Sequence, residues 1–66
     1  MSENEKIFLL SDNAFKVYHY INYLEKEKRM YKPSHFYLSD KLNKSQTTIF
    51  RALREIKDLG LYKEAL

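Results

Sequence analysis

The sequence predicts a small all-α domain of three helices, the second and third joined by a tight turn. Three observations predict it. Apolar residues recur at helical spacing in three stretches, each stretch follows a serine, and the last one ends at the only glycine, Gly60. With 66 residues and no cysteine, the chain has room for one core and no disulfide or thiolate site to staple it. A domain of this size buries about 60% of the surface its unfolded form exposes. Its net stability is therefore only a few kcal/mol.

Residues 2 to 6 are polar and are expected to fray. Ile7-Phe8-Leu9-Leu10 is too short an apolar run for periodicity to classify. An arm over the core, a short strand and part of a dimer contact all remain open for it. Ser11-Asp12-Asn13 then offers oxygen-bearing caps for a first helix over about residues 14 to 28. On that helix Ala14, Val17, Tyr18, Ile21 and Leu24 form one stripe about 120° wide, enough to cover a core. Phe15, His19 and Tyr23 lie on the other side, one turn apart. Three rings are more than an outer face needs. They are a candidate interaction patch for a second copy or another protein, or they are covered by the 7–10 arm.

Cations at Lys26, Lys28 and Arg29 suit the end of this helix. Pro33 then biases Lys32 towards an extended conformation, and Ser34 caps a short second helix over about residues 36 to 42. Its inward residues are expected to be Phe36, Leu38 and Leu42, while His35 is expected in the loop. Asn43-Lys44 is the turn, since Asn tolerates the left-handed conformation. Ser45 caps the third helix, over about residues 46 to 59. Ala52, Leu53, Ile56 and Leu59 lie within about 80° of the inward residue Ile49. Thr47, Arg51, Arg54 and Asp58 point the opposite way, and Phe50 sits on the border, where closing the core edge is favoured over meeting a ligand. Tyr18, Tyr37 and Tyr62 are expected to be half-buried. After Gly60, Leu61-Tyr62-Lys63 has a strand-like alternation. The chain thus divides into an arm (1–10), a domain (11–62) and a tail (63–66).

The net charge is +3, and its distribution says more than its size. Between Lys26 and Arg54 stand eight basic residues against two acidic ones, Glu27 and Asp40, and both flanks are net acidic. Positive charge is concentrated around the turn and the third helix, where a polyanion would meet it.

A short helix, a tight turn, and a second helix with a polar start and an apolar inner face form an arrangement suited to the major groove. Residues 38 to 53, Leu-Ser-Asp-Lys-Leu-Asn-Lys-Ser-Gln-Thr-Thr-Ile-Phe-Arg-Ala-Leu, followed by Leu59-Gly60-Leu61, resemble the winged helix-turn-helix regulators of bacteria, phages and plasmids. Ala14-Phe15-Lys16-Val17-Tyr18 is similar to the first helix of such domains in replication and regulatory proteins. The resemblance covers about residues 11 to 62. It implies sequence-specific binding of double-stranded DNA for transcription regulation or replication control, by a homodimer or within a larger assembly. Carried onto this chain, Ser45, Gln46, Thr47 and Arg51 stand where the family touches DNA. Gln46 suits an adenine edge and Arg51 a guanine or a phosphate. Lys44, Thr47 and Arg54 suit the backbone, and Phe50 stands beside them. A wing needs two strands after Leu61, so the wing is expected to be absent or rudimentary. The alternative is a protein-interaction module that keeps the fold and engages a partner through Phe15, His19 and Tyr23.

Other function classes are not expected. Ser34, His35 and Asp40 would diverge on a short helix and lack a Gly-rich oxyanion loop, so no catalytic residue is assigned. Two histidines without cysteine do not make a metal site, and one glycine does not make a phosphate-binding loop. No cofactor and no small-molecule substrate is expected. No apolar run approaches the roughly 18 residues of a membrane span, and a cytoplasmic protein is the expectation.

Overall fold

Serine hydroxyls fix the starts of the three main helices. The computed structural model describes residues 3–61, in which four helices follow one another: α1 (Glu3–Ile7), α2 (Asp12–Glu27), α3 (His35–Leu42) and α4 (Gln46–Asp58). Among the described residues there is no strand. Ser11, Ser34 and Ser45 each hold an extended backbone and accept, through Oγ, the amide of the third residue beyond, namely Ala14, Tyr37 and Thr48. Each bond satisfies one of the four amides that a helix start leaves without an internal partner. Because Ser11 itself is the cap, α2 begins two residues earlier than the sequence suggests, and Asp12 lies in its first turn. Likewise α3 begins directly after Ser34, which places His35 on the helix and not in the loop.

The helix ends use left-handed residues. Asn43 (φ 54°) closes α3, with the Lys44 amide donating to the Ser39 carbonyl at 3.0 Å. Gly60 (φ 71°) closes α4, and the amides of Gly60 and Leu61 return to the carbonyls of Lys57 and Ile56. This pair of bonds is the Schellman arrangement, and it folds Leu61 back to become buried. Leu61 therefore folds back into the core after the helix, and the rest of the strand-like alternation, Tyr62 and Lys63, lies outside the described residues. Arg29 (φ 54°) turns the chain after α2, and the Met30 amide reaches back to the Leu24 carbonyl.

The core is built by α2 packing on α4, with α3 laid against α4. Ala14, Val17 and Leu24 of α2 meet Leu38 of α3 and Ile49, Ala52 and Ile56 of α4, all buried. Tyr18, Ile21, Tyr37, Leu42, Leu53 and Leu59 close its rim, half-buried. Two further expectations are overturned. Residues 3 to 7 form a helix instead of fraying: Glu, Asn, Glu and Lys tolerate helix, and Ile7 and Leu10 anchor it to the core. The architecture is thus four helices, not three. Phe36 is not inward; it is 68% exposed, because Leu38 fills the inward direction and Phe36 is nearly opposite on a helix.

A polar clasp joins the ends of the helix pair. The Ser11 amide and its Oγ donate to the two carboxylate oxygens of Glu55 on α4, the second at 3.0 Å. The carboxylate lies at the start of α2, where a helix favours negative charge.

Candidate nucleic-acid interface

On α4 the buried residues Ile49, Ala52 and Ile56 define the inward direction, so the opposite face is set by the helical period. Gln46, Thr47, Phe50, Arg51, Arg54, Lys57 and Asp58 are all exposed there or on its flanks. Among the described residues, Arg51 and Arg54 are engaged in no hydrogen bond or ion pair. The neighbouring Glu55 pairs with neither of them, its carboxylate being held by Ser11 at the start of α2. The first turn leaves the Gln46 and Thr47 amides free of side-chain partners, because Ser45 Oγ accepts from Thr48 and the Ser45 carbonyl from Ile49. Free first-turn amides with two unpaired guanidiniums on one face form an anion-attracting surface.

Two of the sequence-predicted residues are occupied. The Ser45 hydroxyl is spent on the cap and lies 2.8 Å from Thr48 Oγ1. Lys44 sends Nζ to Asn13 Oδ1 of α2 at 2.7 Å, and its carbonyl accepts from Ser39 Oγ. The turn between α3 and α4 is thereby tied to both neighbouring helices. Lys44 keeps two of its three donors.

Phe50 does not close the core edge. It is 58% exposed, and its ring stacks on the His35 imidazole, centroids 4.1 Å apart and planes 19° apart. His35 and Lys57 are the members of this surface that the sequence reading missed. Lys57 was legible, since it falls within about 20° of Phe50 around a helix. His35 was not, because its place depends on how α3 packs against α4.

Phe15, His19 and Tyr23 are all exposed and stand one turn apart on α2. Phe15 and His19 touch, with centroids 4.4 Å apart, whereas Tyr23 stacks on Tyr20 at 5.8 Å. Tyr20 adjoins Tyr37 of α3, and Lys41 lies over the Tyr37 ring at 5.6 Å. Burial first, then the Tyr37 hydroxyl and Tyr23, pushes the Tyr20 phenol above its ordinary value of 10.0. The 7–10 segment does not cover the outer face of α2: Phe8 is 82% exposed, and Leu9, Phe15 and Tyr23 are exposed as well.

No family model, curated protein or solved structure matches this chain. The functional reading therefore rests on the geometry and on the sequence pattern. Among the described residues no helix is long and apolar enough to cross a membrane, and no group of three or more His, Cys, Asp or Glu could hold a metal ion.

Proposed function

We propose that this chain binds double-stranded DNA, laying the N-terminal half of α4 into the major groove. The observation that carries the reading is the outward face of α4, where Arg51 and Arg54 stand unpaired beside Gln46 and Thr47 on a helix braced by α3. In this reading Gln46 meets an adenine edge and Arg51 a guanine or a phosphate, while Thr47, Arg54 and the remaining donors of Lys44 hold the backbone. Asp58 is exposed at the far end of the same face and would repel phosphates, so the helix enters by its start only. The winged type suggested by the sequence belongs to this proposal too. One module makes few contacts, and two copies with half-sites about one helical turn apart would bring the affinity into the usual range. Control of transcription or of replication on a phage or plasmid, in the cytoplasm, is the role that fits such a domain.

The exposed rings of Phe8, Phe15 and Tyr23 favour a second reading, a module that binds a protein partner through α2. Substitution separates the two. Arg51→Ala and Arg54→Ala should each weaken duplex binding while thermal stability stays within about 0.5 kcal/mol, and Tyr23→Ala should leave binding intact. Unaltered duplex binding in both arginine variants would remove the DNA reading in its stated form.

A further inference from the structure

Gln46, Phe50 and Arg54 are spaced four apart and form one row along the exposed side of α4. An aromatic ring between a base-reading amide and a guanidinium is unusual on a solvated helix face, where it gains nothing from burial. Its orientation is also constrained. The His35 imidazole lies flat against one side of the ring, so the ring is held from below by α3 and offers its free side outward. A flat apolar surface bordered by cationic and polar groups fits an apolar group inside a polyanion. In the major groove that group is the thymine 5-methyl, which the other three bases lack there.

We infer that Phe50, positioned by His35, reads the 5-methyl group of a thymine in double-stranded DNA. This rests on the proposed DNA reading and adds a base identity to it. Four residues of helix advance about 6 Å, close to two base steps at about 3.4 Å each. The thymine therefore falls within about two base pairs of the adenine that faces Gln46. Phe50 is the specificity residue, and His35 acts through it.

The test uses the full chain and a duplex obtained by selection from a random pool. Each thymine is replaced in turn by deoxyuridine, which removes the methyl and keeps every hydrogen-bonding group. One replacement should weaken binding by about fourfold, the factor that corresponds to one buried carbon. With Phe50→Ala the thymine and uracil duplexes should bind equally. His35→Ala should shrink the difference, and His35→Tyr, which keeps a flat ring, should restore it. Circular dichroism confirms that each variant is folded, and Phe50→Leu serves as a second variant with an apolar side chain at the site. A Phe50→Ala loss that is the same on thymine and uracil duplexes would place the ring against the sugar-phosphate backbone and overturn the inference, with the DNA reading intact. Absence of duplex binding by the unmodified chain would overturn both.

Discussion

Ser11 and Glu55 are 44 residues apart in sequence, and their contact ties the start of α2 to α4. Ser11 Oγ accepts the Ala14 amide at 3.3 Å and donates to Glu55 Oε2, while the Ser11 amide donates to the other carboxylate oxygen. Ser11→Ala removes the cap, at a cost of about 1 kcal/mol. Glu55→Ala removes two acceptors, each worth about 0.5–1.5 kcal/mol. Exposure of the pair and the better helix propensity of Ala reduce that to about 1 kcal/mol in total. The hydroxyl–carboxylate bond is lost in either variant, so the double variant should lose about 0.5 kcal/mol less than the two losses added. Against a domain stability of only a few kcal/mol, each single change should lower Tm by roughly 4–8 °C. Thermal melts followed by circular dichroism measure all four corners of the cycle. A Glu55→Ala variant that melts with the parent chain would show that the clasp contributes nothing, and strict additivity would show that the two side chains act independently.

Three further outcomes follow from the packing and the backbone. Ile49 is fully buried between α2 and α3, so Ile49→Ala should cost about 2–5 kcal/mol, and urea titration should find the variant largely unfolded. A Cβ at Gly60 would meet nothing closer than Lys6 Nζ at 3.8 Å, so Gly60→Ala is penalised by the positive φ alone; the same titration should show a loss of about 1 kcal/mol. The Tyr20 phenol is raised above 10.0, so the folded chain holds its proton more tightly than the unfolded one. That contribution is complete below pH 10.0 and is lost as pH rises through the folded value. Melts in the alkaline range should fall less steeply for Tyr20→Phe, and ultraviolet titration should show one phenol ionising after the others; a Tyr20 that ionises with the others would contradict this.

Local rules made much of the fold legible. Ser11, Ser34 and Ser45 cap, Asn43 and Gly60 terminate, and each role depends on a few neighbouring residues. The stripes Ala14-Val17-Leu24 and Ile49-Ala52-Ile56 follow from the helical period and were readable as core. What escaped was tertiary. On a helix of only eight residues, the apolar spacing of Phe36 and Leu38 does not say which one faces α4; the packing turned Leu38 in and Phe36 out. Helix α1 has a polar sequence and is held by Ile7 and Leu10, whose packing no local pattern announces. At the candidate interface, the exposure of Gln46, Thr47, Arg51 and Arg54 was readable from α4 alone. The stack of His35 on Phe50 and the bond from Lys44 to Asn13 each join two helices and required the structure.

The proposed contact is between duplex DNA and the unpaired arginines on the outward face of α4. Fluorescence anisotropy of a labelled random duplex, titrated at two salt concentrations, tests it most directly. Binding should tighten as salt falls, with a slope equivalent to several released counterions that shrinks by about one for Arg51→Ala. No binding even at low salt, or a slope that Arg51→Ala leaves unchanged, would contradict it.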